Sequence, residues 1–261
     1  MDRLLFLGMG TIAEAVRRAL PERPASGTTR RPPDARFAHV RPISTQDSAA
    51  IRGAAEGAHV LVSFPPDGHS DRAFAEVIEG AASLVYLSST AVYPAAAGVV
   101  TETSALGSSS ERAQLRIAAE STWRQIGASV VRLPAFYGVS SGLHVSLARG
   151  SFRLPGAGSN IVSRVHEDDA ARFVRTAFEA PARSLLLAGD DEPAPVAEVV
   201  RFVCSLFDLP PPASSEGSDV PLSLRGDRAV QNQATKSAFK VQLAYPSYRE
   251  GYRAIHAGLR Q

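Results

Sequence analysis

The sequence predicts an α/β protein: a doubly wound parallel sheet with a smaller C-terminal lobe. Three observations carry this expectation. Over the first 137 residues, short apolar runs alternate with helix-length amphipathic stretches, the pattern of βαβ units. The first apolar run ends in a glycine turn that opens a helix. After Gly138 the pattern loosens into shorter strands and helices, so the chain divides in expectation into residues 1–137 and 138–261.

In chain order, residues 3–7 read as a strand and 11–20 as a helix stopped by Pro21. A short strand ends near Thr28 and Thr29, and another is expected over 37–41. Residues 59–64 form a buried strand stopped by Pro65 and Pro66. A helix over 70–79 precedes a strand over 83–88. An Ala-, Gly- and Ser-rich loop leads to a helix over 111–126 and a strand over 129–133. Beyond Gly138, strands are expected over 162–165 and 185–187, with helices over 167–179 and 194–207. Residues 208–225, rich in proline and serine, read as a loop or mobile segment. Helical periodicity returns over 247–259.

Composition narrows the function classes. With 44% hydrophobic and 21% charged residues over 261 positions, the chain can bury a sizeable core. A single cysteine excludes an internal disulfide scaffold, and no apolar run approaches the ~18 residues of a membrane span. The first residues offer no signal-peptide core, so a reducing, cytoplasmic setting is expected. The net charge of +2 is spread without basic blocks or interleaved aromatics, which speaks against nucleic acid as a partner. Only Lys236 and Lys240 are lysines among the 28 basic residues. A catalytic lysine therefore has few places to stand.

Gly8-Met9-Gly10-Thr11-Ile12-Ala13 fits G-x-G-x-x-(G/A) between a predicted strand and a predicted helix. Gly8 permits the tight turn, Gly10 lets backbone approach a pyrophosphate, and Ala13 packs closely on the strand. The amides at Thr11 and Ile12 open the helix toward phosphate. This context makes the sheet Rossmann-type. About 20 residues on, where an acid would read the ribose hydroxyls of NAD, stand Thr28-Thr29-Arg30-Arg31. Two guanidiniums suit the 2′-phosphate of NADP, so NADP (NADPH) is expected and NAD is disfavoured.

Further segments carry a resemblance. Leu87-Ser88-Ser89-Thr90-Ala91-Val92-Tyr93-Pro94, Leu133-Pro134-Ala135-Phe136-Tyr137-Gly138, Arg164-Val165-His166-Glu167-Asp168-Asp169-Ala170 and the tail from Tyr245 to Gly251 follow in order. Together they resemble the extended and atypical short-chain dehydrogenase/reductases, in their NAD-dependent epimerase-like branch. The resemblance implies that Ser89 hydrogen-bonds the reacting oxygen. It implies that Ser63, Phe64, Pro65 and Ser88 lie along the cofactor, and that Pro134, Ala135 and Phe136 line its nicotinamide. Substrate contacts would come from Thr90, Arg112, Tyr137 and Arg164.

The departure is equally clear. The family's tyrosine, followed four residues later by lysine, falls here on Arg112 and Arg116. None of the six tyrosines has a lysine four residues on. Arg116 can hold ribose hydroxyls as the lysine would. Arg112 cannot exchange protons near neutral pH, because guanidinium stays charged. The expected proton source is Tyr93 first, then Tyr137 or a water ordered by Ser89.

The leading expectation is an NADP(H)-dependent oxidoreductase reducing a carbonyl of a small metabolite, with Ser89, Tyr93 and Arg116 as its catalytic group. Redox-neutral nucleotide-sugar epimerisation or dehydration is the alternative, as is a non-catalytic NADP-binding sensor or scaffold. His166 with Asp168 reads as a helix entry rather than an acid–base pair. The six histidines show no metal-ligand spacing, and Cys204 reads as core. The helices over 70–79 and 111–126 could pair two copies into a homodimer or equally face solvent.

Overall fold

The computed structural model describes residues 3–30, 35–107, 110–215 and 226–260. In chain order the elements are β1 (Arg3–Leu7), α1 (Thr11–Ala19), β2 (Ala25–Thr29), β3 (Val40–Ser44), α2 (Ser48–Ala55), β4 (Ala58–Val62), α3 (Ser70–Ala75), β5 (Ser83–Ser89), β6 (Gly98–Val100) and α4 (Glu111–Gln125). There follow β7 (Ser129–Leu133), β8 (Ala135–Tyr137), α5 (Leu143–Ala148), β9 (Leu154–Pro155), β10 (Ile161–Val162), β11 (Arg164–His166) and α6 (Glu167–Glu179). The chain ends with β12 (Leu185–Leu187), β13 (Ala194–Pro195), α7 (Val196–Phe207), β14 (Ser214–Ser215), β15 (Arg228–Val230), α8 (Gln233–Phe239) and α9 (Tyr248–Gly258).

Two compact units result. The first is Met1–Val92, Ser109–Arg132 and Ala171–Leu186; the second is Tyr93–Ser108, Leu133–Ala170 and Leu187–Gln261. The chain passes between them several times, rather than once at residue 137.

The first unit is built on a seven-stranded sheet in the order β12-β7-β5-β4-β1-β2-β3. The ladders joining β3, β2, β1, β4 and β5 are all parallel. β1 lies inside the sheet between β4 and β2, and its Leu4, Leu5, Phe6 and Leu7 are at most 1% exposed. An unbroken apolar run is what a strand covered on both faces requires. β3 is the edge, where Pro42 costs no ladder bond to a further strand. The sheet order reverses between β1 and β4, the switch point at which such sheets hold ligands beyond their strand ends.

Several boundaries differ from the sequence reading. The strand expected over 37–41 is a 3-10 turn at Ala35–Phe37 followed by β3, because Phe37 turns into the core while Val40 begins the ladder. α2 has no counterpart in the expected elements. It is only eight residues long, too short to show periodicity, and Asp47 starts it by accepting a hydrogen bond from the Ala50 amide at 2.9 Å. The single strand expected over 162–165 is two short strands in different sheets, β10 and β11. Of the segment 208–225 expected as loop, β14 is a short strand beside β9, and residues 216–225 lie outside the described set.

Beneath the sheet of the first unit, Glu120 of α4 is 3% exposed and accepts from Arg132 Nε at 3.0 Å and Nη2 at 2.7 Å. Ser88 donates to the same carboxylate. Trp123, one turn on, is fully buried and donates to Asp71 of α3 at 2.8 Å. Burial pushes the Asp71 carboxyl upward, against the downward pull of that bond.

The second unit contains the four-stranded sheet β13-β10-β15-β6 and the two-stranded pairs β11-β8 and β14-β9. Its core joins Tyr137, Leu147, Val199, Val203, Tyr252 and Ile255. Ser247 and Glu250 form a capping box at the start of α9. Among the described residues, no helix is long and apolar enough to cross a membrane.

Replacing Arg132 by Met leaves the Glu120 carboxylate buried without its cation, and the expected loss is about 3–5 kcal/mol of stability. Chemical denaturation of the variant checks this. Adding Glu120→Gln should restore part of the loss, since the stranded charge is then gone.

Candidate functional site

In the first unit the candidate site is built at the switch point. Gly8 ends β1 with φ +96°, a conformation open to glycine. Its amide donates to Thr28 Oγ1 at 3.1 Å, and its carbonyl accepts from Ser63 Oγ at 2.8 Å. The turn is thereby tied to the ends of β2 and β4. A Cβ on Gly8 would stand 2.8 Å from the Phe64 amide nitrogen, so the backbones approach too closely for any side chain.

Gly10 caps α1 in extended conformation without a side-chain hydrogen bond. A Cβ there would meet nothing within 4 Å, so packing does not demand glycine at this position. The arrangement fits a nucleotide: a tight turn, bare helix-terminal amides, and room for phosphate oxygens at the second glycine. Thr11 is half-buried. The Ile12 side chain is 3% exposed and serves the core, leaving only its amide for a ligand.

The other expected cofactor residues divide. Arg30 is exposed and lies 3.9 Å from Asp67 Oδ2. Arg31 lies outside the described residues. Asp67 escaped the sequence reading because it stands far along the chain from the ribose-reading turn. Its carboxylate organises the start of α3 through Ser70 and the His69 amide, and the Ser70 hydrogen bond leads the effects that lower its pKa. Phe64 is half-buried against Phe74, with ring centroids 5.4 Å apart, and Pro65 is exposed. Ser63 spends its hydroxyl proton on Gly8. Ser88 is buried and its hydroxyl donates to Glu120 of α4.

At the end of β5, Ser89 is half-buried and its Oγ accepts from the Ala91 amide at 3.2 Å. That bond orients the hydroxyl and leaves its proton to donate. Thr90 is 8% exposed, so its side chain packs inward rather than toward a substrate. α4 carries the two arginines, at the positions where the resemblance leads one to expect tyrosine and lysine. Arg116 is half-buried, and its Nη1 donates to the Leu87 carbonyl of β5 at 3.1 Å; Arg112, one turn earlier, is exposed. Tyr86 of β5 is buried, which drives its phenol pKa up, partly offset by the charge of Arg116.

The remaining expected residues lie in the second unit. Tyr93 is the expected first proton source. It is 0% exposed and its hydroxyl donates to the Thr101 carbonyl at 3.0 Å, so its proton is committed to packing. Tyr137 is 2% exposed, stacked on Tyr252 at 4.4 Å between centroids and edge-on to His166. Burial drives its phenol pKa far up. Pro134 is buried, whereas Ala135 and Phe136 are exposed and border a cavity of about 240 Å3. Arg164 borders the same cavity and donates from Nη1 to the Val162 carbonyl at 2.8 Å. His166 Nδ1 accepts from the Asp168 amide, as a helix entry requires. Asp169 accepts from the Ala244 and Tyr245 amides. The buried acids Glu120, Asp71 and Asp190 were not singled out as functional. Each carries its meaning only through partners distant in sequence.

No protein-family model matches the chain. Over 123 residues it is 28% identical to a 3-diazoavenalumate denitrifying reductase from Streptomyces sp, a match spanning 44% of this chain and 40% of that protein. The chain thus covers less than half the length of that relative. Among solved structures it is similar to a functionally unknown conserved protein from Silicibacter pomeroyi, 27% identical with TM-score 0.81 over 99% of both chains. MoeE5 in complex with UDP-glucuronic acid and NAD is 20% identical, with TM-score 0.82 over 100% of this chain and 99% of that one. UDP-N-acetylglucosamine 4-epimerase from Bacillus cereus is 13% identical, with TM-score 0.78 over the whole of both. The class defined by this sheet order and glycine turn is the Rossmann-like α/β fold. Within it, the chain has the fold of the epimerase-like short-chain dehydrogenase/reductases.

Gly8→Ala should lower stability by about 1–3 kcal/mol, since alanine is strained at positive φ and meets the Phe64 backbone. Gly10→Ala, in open space, should melt with the parent protein. A thermal-unfolding comparison of the two checks the assignment.

Proposed function

We propose that this chain is an NADP(H)-dependent oxidoreductase that reduces a carbonyl group on a small metabolite. The observation that carries the reading is the first unit's pairing of a nucleotide-type turn at Gly8 with an oriented hydroxyl donor at Ser89. The fold and the partial likeness to a protein named a reductase lend support. Thr11 and Ile12 amides would bind the pyrophosphate, and Arg30 would take up the 2′-phosphate in place of its loose contact with Asp67.

Bound NADPH would supply a hydride. Ser89 would donate its hydroxyl proton in a hydrogen bond to the carbonyl oxygen and stabilise the charge developing there. Arg116, anchored to Leu87, would hold ribose hydroxyls with its remaining N–H groups. Tyr93 cannot supply the final proton while its hydroxyl is bonded to Thr101, and burial makes the Tyr137 phenol a poor acid. Water ordered at Ser89 is the proton source in this reading. Reduction tolerates such a source. Sugar epimerisation demands a base to take a hydroxyl proton, and neither Arg112 nor Arg116 can be one.

Calorimetric titration with the four nicotinamide nucleotides tests the cofactor. NADPH should bind at least ~10-fold more tightly than NADH, about 1.4 kcal/mol. Absence of binding by all four to folded protein would sink the proposal. Gly10→Ala should weaken NADPH binding without loss of fold. Once a carbonyl substrate is found by NADPH consumption, Ser89→Ala should lower kcat on the order of 10²-fold with NADPH affinity unchanged; equal loss of both would remove Ser89 from its role.

A further inference from the structure

The second unit holds a buried cation with no ion-pair partner, and it borders an apolar cavity. Arg164 is 6% exposed. Its bond to the Val162 carbonyl uses one of five guanidinium donors. Among the described residues it makes no ion pair and no other hydrogen bond. Its face stacks toward the Tyr248 ring, 5.9 Å from the centroid.

The acid that could neutralise it from within the fold is Asp190, 1% exposed, whose amide donates to the Arg164 carbonyl. Among the described residues Asp190 makes no ion pair with Arg164, and its carboxylate is held only by a weak contact with the Glu192 backbone. Burial drives its pKa well above the ordinary carboxylate range, toward the neutral acid, against the opposing charge of Arg164. The guanidinium keeps its proton in any environment a protein provides. A buried charge is tolerated when something supplies its counter-charge.

The cavity beside Arg164 is bounded by Phe136, Leu143, Phe152, Val162 and Val196. Its volume of about 240 Å3 is below the ~300–1,000 Å3 typical of sites for drug-sized ligands. Arg153 also borders it, but is exposed and donates to the Gly150 and Phe152 carbonyls. Beside the hydroxyl-bearing residues Tyr137, Ser146, Ser151 and Tyr252, the walls offer apolar contact to a small body and one buried cation to a single anionic group. A nucleoside diphosphate sugar asks for more volume and for polar partners along its whole length.

We propose that this cavity binds a compact organic anion, an apolar body bearing one carboxylate that pairs with Arg164. As a statement about binding it stands on the second unit alone.

The test is calorimetric titration of the full chain with benzoate, with its neutral isostere benzamide, and with uridine monophosphate. Benzoate should saturate one site, with benzamide and the nucleotide at least ~10-fold weaker. Arg164→Met should abolish benzoate binding. Ser146→Phe, which fills the cavity while leaving Arg164 in place, should abolish it as well, and keeps the test open should the first variant fail to fold. Equal affinity for benzoate and benzamide, tighter binding of the nucleotide, or no binding of any probe to folded protein would overturn the proposal. The two readings fail separately. Benzoate binding without NADPH binding removes the reductase and keeps the anion site; NADPH binding without benzoate binding does the reverse.

Discussion

The candidate chemistry of the first unit depends on a carboxylate buried beneath its sheet. Glu120 takes two hydrogen bonds from Arg132 of β7 and one from Ser88 of β5, and so locks α4 to two neighbouring strands of the sheet. Ser89 is the next residue along β5, and Arg116 lies one turn before Glu120 on α4. The register of both candidate site residues is therefore set by one buried ion pair. Breaking such a pair is costly because the remaining charge has no water to turn to. The Trp123–Asp71 hydrogen bond extends the same lock from α4 to α3.

Two arginines, at the positions where a tyrosine–lysine pair was expected, limit what α4 can do. A guanidinium binds, orients and neutralises, but it does not cycle a proton. Arg116 faces the sheet and is anchored on the Leu87 carbonyl, while Arg112 faces solvent. The helix keeps positive charge beside β5 and gives up acid–base chemistry. In the proposed reduction, proton traffic would then run through small groups such as the Ser89 hydroxyl and a water it orders.

The second unit spends its polar groups differently. Tyr93 and Asp169 satisfy backbone groups of their own unit, at the Thr101 carbonyl and the Ala244 and Tyr245 amides. Burial is deep enough that the Tyr252 phenol is pushed up to about 12 and Asp190 toward its neutral form. In such surroundings Arg164 stands out, because its guanidinium stays charged.

Much was legible before the structure. The apolar run of β1, the glycine turn and the alternation of strands with helices determined the sheet and its switch point, because burial on both faces and positive φ act on residues adjacent in sequence. The absence of any tyrosine–lysine pair is likewise a property of the sequence. What only tertiary structure decided is which side chains remain available. Tyr93, Ser63 and Ser88 look like donors in the sequence, yet each spends its hydroxyl on a group 8 to 55 residues away. α2 was missed because an eight-residue helix shows too little periodicity, and Asp190 because the upward push on its pKa comes from burial by distant elements. Hydrogen-bond commitment and desolvation are long-range, and so they appear only once the chain is folded.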